Sequence, residues 1–291
     1  MQMVFHIGVH GTDDDRLLKT LLNNREWLLK NRTEIVPPSR HSGLFEQALM
    51  PLKGGPATIE MEEVILDALL TTDDPERVIF STPTFMGAVG RIVGRDGLYP
   101  QIGNRVAALA NLFPKYDSEF FVAIRNPATL LSDMLPRFKT GDYNVLMQGR
   151  HPLDLRWREA AQRMVQAAQG RRVVIWCHED VPLIWPEVVR LAGDISPDAP
   201  LKDGMLYMHE ILDSTGTEEL RDAMSSRDQL SIAQRRELCT RLLQEHSVKE
   251  ALDQPINLPG WTQELVDQVT DNYYRDVAEI AALPGVEFIL P

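Results

Sequence analysis

Met3-Val4-Phe5-His6-Ile7-Gly8-Val9-His10-Gly11-Thr12-Asp13-Asp14-Asp15 is the stretch on which the fold turns. Met3 to Ile7 is a short apolar run that reads as a buried strand, and it passes through Gly8 and Gly11 into a helical pattern beginning near Asp14. Strand, glycine loop and helix in that order are the layout of a phosphate cradle: glycine lets backbone approach an anion, and a helix N-terminus presents unpaired N–H groups. The run Asp13-Asp14-Asp15 sits where such a cradle offers small residues, and no lysine precedes Thr12. Carboxylates there cap orphan N–H groups and complement the positive end of the helix macrodipole. They also oppose a bound phosphate.

Working outward, Val78 to Ser81, Phe120 to Ile124 and Val173 to Trp176 are further apolar runs rich in β-branched and aromatic residues, and Val286 to Leu290 reads as a fifth strand. Helical periodicity fills the intervals, at about Asp14 to Asn31, Glu60 to Leu70, Gly103 to Leu112, Asp154 to Ala168 and Trp185 to Ala192. Strands separated by helices require crossover connections and hence a mostly parallel sheet. The expectation is an α/β protein with a three-layer α/β/α core over residues 1–200. A helical extension over residues 201–291, with helices at Ile232 to His246 and Thr262 to Leu283, packs on it. The stretch from Thr140 to Pro152 is polar and aperiodic, which suggests a mobile cover.

Bulk properties narrow the function. No apolar run is long enough to cross a bilayer, which argues against membrane insertion, and the absence of an export-type leader points to the cytoplasm. With 42 acidic against 30 basic residues the formal charge is −12, which repels nucleic acid and leaves small anions held by local basic pockets as the plausible charged ligands. Cys177 and Cys239 match no disulfide or metal spacing and read as free thiols. His178-Glu179-Asp180 is too compressed to surround an ion, so no metal site is expected.

Three segments resemble, in order, bacterial sulfotransferase-like proteins of the P-loop superfamily. His6-Ile7-Gly8-Val9-His10-Gly11-Thr12 is similar to the loop that holds the donor's 5′-phosphosulfate in that family. Arg125-Asn126-Pro127 with Ser132 is similar to the element that holds the donor's 3′-phosphate, and Val173 to Trp176 with Glu179-Asp180 is similar to a later strand and acidic turn. The resemblance implies a P-loop-type core binding phosphoadenylyl sulfate (PAPS) or adenosine bisphosphate through Gly8, Val9, His10, Gly11, Thr12, Arg125 and Ser132, with sulfonate passing to a hydroxyl acceptor such as a saccharide or small metabolite. Gly11 stands where the family carries its lysine, and Asp13 and Asp14 replace the Gly and Thr that follow it. The competing expectation is therefore a catalytically inactive binding or interaction protein on the same scaffold. A nucleoside-triphosphate enzyme would need a Lys-Ser/Thr pair closing the loop, which is absent.

The residues also support a common pocket on their own. In an open parallel sheet ligands collect at the carboxyl ends of strands, where both the Gly8 to Thr12 loop and Arg125 leave the sheet. Arg91, Arg95 and Arg105 could join Arg125 there, and Arg16 or Lys19 could replace the missing lysine. His6, Gly8 and His10 would share one face of an extended segment, and His41 lies in a polar stretch that could approach an acceptor; no residue is identified as the catalytic base.

Overall fold

The computed structural model describes residues 1–225, 230–252 and 254–291. Six parallel strands form one sheet: β1 (Gln2–His6), β2 (Thr33–Val36), β3 (Arg77–Ser81), β6 (Asp117–Ile124), β7 (Val173–Cys177) and β8 (Val286–Ile289). A short antiparallel hairpin, β4 (Val93–Gly94) and β5 (Gly97–Leu98), lies apart from it. The spatial order β2-β3-β1-β6-β7-β8 puts the first strand in the middle, with successive connections running out to one edge and then across to the other. The crevice where these directions diverge opens at the carboxyl end of β1, beside that of β6.

Alternation along the central strands sorts side chains into two layers. Met3, Phe5 and Ile7 face one core together with Phe80, Phe120, Val122 and Ile175, under the helices Ile102–Leu112, Trp157–Ala168 and Gln263–Ala281. Val4, Ile79, Phe121 and Trp176 face the other, under Arg16–Asn23 and Val181–Gly193. This is a three-layer α/β/α arrangement. On the first face Phe5 stacks between Phe80 at 5.3 Å and Phe120 at 5.6 Å, joining three neighbouring strands at their centre.

Several local expectations are corrected. The first helix does not run from Asp14 to Asn31: Asp14 and Asp15 hold left-handed backbone, helix begins at Arg16, and it breaks at Asn24 into a second helix, Arg25–Lys30. Asn24 makes the break because its side chain bonds back to Thr20 O and across to both backbone groups of Lys202. Strand β2 and the helix Pro38–Leu52 were not expected from sequence. The Thr140 to Pro152 stretch is anchored: it contains a helix, Tyr143–Met147, capped by Asp142, and Gln148 Nε2 holds Val93 O at 2.8 Å. Val286–Ile289 is an edge strand paired in parallel with β7, so the chain's C-terminal region contributes to the core sheet. No helix among the described residues is long and apolar enough to cross a membrane.

His41, expected in a polar stretch, is fully buried among Phe45, Phe80 and Phe85, with no hydrogen-bond partner on either ring nitrogen. Desolvation pushes its pKa down to about 4. The folded state therefore keeps this imidazole neutral while the unfolded chain protonates it near pH 6.5, so stability present above pH 6.5 is lost as the pH falls toward 4. The loss reaches about 3 kcal/mol by pH 4 for one such group. His41→Leu, close in volume, should flatten the acid limb of a plot of unfolding free energy against pH. An unchanged slope between pH 6.5 and 4 would show that His41 titrates normally.

Candidate functional site

Both elements read from sequence as a shared pocket do meet. β1 extends its pairing with β6 through Ile7 N to Phe121 O and Ala123 N to Gly8 O, so the loop departs directly beside the end of β6, where Arg125 leaves. Gly8 at φ 95° turns the chain out of the strand, and Gly11 at φ 66° brings it back toward the helix. His6 and His10 consequently do not share a face, because the turn at Gly8 ends the extended alternation. His6 stacks on Trp176 in one layer, and His10 stacks on Tyr99 beside the other.

The loop and Arg125 close on each other. Arg125 is 3% exposed, and its guanidinium is divided among four internal acceptors. Nη1 donates to Gly11 O and to Asp133 Oδ2, each at 2.6 Å, Nη2 donates to Gln254 Oε1 at 2.7 Å, and Nε donates to Thr129 Oγ1 at 3.1 Å. A Cβ added at Gly11 would lie 2.8 Å from Met134 Cε and 3.0 Å from Arg125 Nη1, so no phosphate-sized gap separates this guanidinium from the loop at Gly11. The arginine holds a carbonyl of the cradle.

The amides of the helix N-terminus are occupied as well. Asp13, 7% exposed, folds its carboxylate back so that Oδ1 accepts Asp15 N and Oδ2 accepts Leu17 N, both at 3.2 Å. These are first-turn donors of the kind a phosphate would use, and the chain supplies its own anion to them. Thr12 Oγ1 donates to Val9 O at 2.7 Å, closing the loop on itself. Neither proposed substitute cation bonds a residue of the Gly8 to Thr12 stretch: Arg16 pairs with Glu210, lies over the Tyr207 ring and turns Nη1 to Asp13 O at 3.2 Å and to the Asp14 carboxylate at 3.5 Å, while exposed Lys19 reaches Asp14 O.

Hydrogen bonds hold His10 and His6 near the site. The carbonyl Gly87 O can only accept, so His10 Nε2 carries the proton toward it at 3.0 Å, and Nδ1 accepts from Tyr99 Oη at 3.0 Å. Burial lowers the His10 pKa and raises that of the Tyr99 phenol, which favours this neutral pair. His6 Nδ1 bonds Ser81 Oγ at 2.8 Å and lies 3.9 Å from Asp13 Oδ2; its burial outweighs that carboxylate and lowers its pKa. His178 has a buried, unpartnered Nδ1, and desolvation followed by the field of Arg125 pushes its pKa down to about 4.

The remaining expected residues have structural partners. Ser132 Oγ donates to Pro255 O and accepts Asn257 N, fastening the segment that also brings Gln254 to Arg125. Asn126 caps the helix Pro127–Met134 and donates its side-chain amide to Thr270 Oγ1. Glu179 accepts Asn126 N at 2.8 Å and the Tyr273 hydroxyl at 2.7 Å, which ties the end of β7 to the start of that helix. Arg91 and Arg105 approach Gly87, whose carbonyl is bonded by His10 of the loop, while Arg95 lines a different cleft whose lining does not include Arg125. Among the described residues no cluster of three or more His, Cys, Asp or Glu side chains could hold a metal ion.

Sequence reading missed Asp133, Gln254, Tyr99 and Trp157. Trp157 Nε1 donates to Arg125 O at 2.6 Å, and its ring stacks on Tyr99 at 5.5 Å. Arginine eight residues before Asp133 was the only signal available for that pair. Nothing in the sequence pointed to Gln254.

Fold and site together define a three-layer α/β/α protein with a glycine loop after its central first strand and a buried arginine beside that loop. No protein family matches this chain, and no curated protein matches it in sequence.

Proposed function

We propose that this chain is a binding protein on a sulfotransferase-like P-loop scaffold whose nucleotide-donor site is closed by its own side chains. The observation that carries this reading is the Asp13 carboxylate on the amides of Asp15 and Leu17. Arg125, spent on Gly11 O, Asp133, Thr129 and Gln254, supports it. Sulfonate transfer from PAPS to a hydroxyl acceptor would require displacing a buried carboxylate, freeing a buried guanidinium and finding a cation for the missing lysine. Loss of a preorganised donor at such a transition state alone costs about 3 kcal/mol, or roughly a hundred- to a thousand-fold in rate. Two buried free thiols, Cys177 and Cys239, fit a reducing compartment such as the cytoplasm.

The melting temperature should be unchanged by adenosine 3′,5′-bisphosphate. A ligand specific for the folded state adds about 2.7 kcal/mol at roughly a hundred times its Kd, which a thermal-shift assay resolves easily. A rise of several degrees would return the transfer reading to first place.

A further inference from the structure

Residues 254–257 lie against Arg125 and Ser132 without belonging to a helix or strand. Gln254, Pro255 and Asn257 are exposed, and Ile256 packs half-buried against the core. Among the described residues no main-chain group of this segment pairs with another main-chain group. Side-chain bonds fasten it instead: Arg125 Nη2 donates to Gln254 Oε1 at 2.7 Å, Ser132 Oγ donates to Pro255 O at 3.2 Å, and Asn257 N donates to Ser132 Oγ at 3.3 Å. Just beyond, buried Leu258 and the bond from Trp261 Nε1 to Tyr143 Oη anchor the chain again.

This is a weakly held cover over a strongly held group. Arg125 is 3% exposed, and its other acceptors belong to the frame of the site: Thr129 and Asp133 lie on the helix Pro127–Met134, and Gly11 lies in the loop that His10 and Thr12 tie down. Gln254 reaches the guanidinium from outside that frame, on an exposed segment. A segment with little buried apolar surface and no main-chain pairing opens locally at a small fraction of the free energy that unfolds a core. Two oxygens of the segment, Gln254 Oε1 and Pro255 O, occupy adjacent donors of the site, so its departure bares both donors together.

We infer that residues 254–257 form a strap that opens as a local unit while the core stays folded, and that the Gln254 to Arg125 hydrogen bond is the autoinhibitory contact that holds it shut. The inference rests on the reading of the site as closed by the chain's own side chains, and adds that the closure has a fixed part, the Asp13 carboxylate, and a reversible part, the strap. Opening presents the Nη2 edge of Arg125 beside the Ser132 hydroxyl. Asp133 stays paired with Nη1, so what is uncovered is a pair of hydrogen-bond donors and not a free charge.

The test is the rate at which phenylglyoxal, a reagent for accessible guanidiniums, modifies Arg125 in the full chain, followed by peptide mass spectrometry with no nucleotide present. Exposed Arg91 sets the rate of an open guanidinium, and Arg77, buried against Glu119, sets that of a closed one. In the native chain Arg125 should react more slowly than Arg91 and faster than Arg77. Gln254→Ala, at an exposed position, should speed Arg125 about tenfold, the worth of one hydrogen bond to a charged group, and leave Arg77 unchanged. Gln254→Glu should slow Arg125 below its native rate, because a charge-assisted bond holds the strap more tightly. In Gln254→Ala the Asn257 amide should also exchange hydrogen faster, while the sheet amides of Ile7 and Ala123 keep their native protection. Equal Arg125 rates in the native chain and Gln254→Ala, an equal speeding of Arg125 and Arg77, a Gln254→Glu chain as reactive as Gln254→Ala, or a native Arg125 as reactive as Arg91 would overturn the proposal. With no nucleotide in the assay, such a result removes the strap and leaves the Asp13 contacts as they stand.

Discussion

An Arg125→Ala chain should lose about 3 kcal/mol of unfolding free energy, measured by urea denaturation. The guanidinium is buried and bonds Gly11 O, Thr129, Asp133 and Gln254, so truncation orphans a loop carbonyl, frees the segment at Gln254 and leaves a cavity against Met134. Asp133, being half-exposed, can turn to water and contributes least to the loss. Set against a typical total of about 5–15 kcal/mol, the effect is large. A residue kept mainly to grip a nucleotide would behave differently: its removal would cost ligand affinity and leave the free chain's midpoint nearly unchanged. Arg125→Lys should recover little, because one ammonium cannot reproduce the fork.

Toward the amino ends of the central strands, Glu119→Ala should destabilise by about 3–5 kcal/mol. Glu119 and Arg77 are 4% and 5% exposed, and their closest atoms are 2.6 Å apart. Arg77 also donates to the carbonyls of Leu191 and Ala192, at the C-terminal end of the helix Val181–Gly193, where a positive charge complements the macrodipole. Glu119 further accepts Gln2 Nε2 at 2.6 Å and faces Arg172 at 3.4 Å. Removing the carboxylate leaves a guanidinium desolvated without its counter-ion, the costliest way to break such a pair. Glu119→Gln keeps an acceptor in the same place and should lose clearly less. If the two variants melt together, the acceptor and volume that glutamine keeps contribute nothing, and the whole loss belongs to the charge of Glu119.

The legible parts of the chain share a physical cause. β1, β3, β6 and β7 are buried on both faces, so their sequences are nearly continuous apolar runs that periodicity detects. β2 was hidden because its four residues include Glu34, whose buried carboxylate is satisfied by Thr71 and Thr72 far along the chain. The helix Pro38–Leu52 was hidden by Ser39, Arg40, His41 and Gly43 at its start and Pro51 within it. The meeting of Arg125 with the Gly8 to Thr12 loop was legible, since strand order at a switch point brings those termini together. What the groups do on meeting was not legible. That outcome depends on Asp13 folding back onto two amides and on Gln254 arriving from the distant end of the chain, neither of which leaves a periodic or spacing signal.

Calorimetric titration of adenosine 3′,5′-bisphosphate into the native chain and into Asp13→Gly tests the self-occupied cradle most directly. Glycine removes the internal carboxylate from the Asp15 and Leu17 amides. The account predicts no heat of binding with the native chain and measurable binding with the variant. Binding to the native chain as tight as to Asp13→Gly would contradict it.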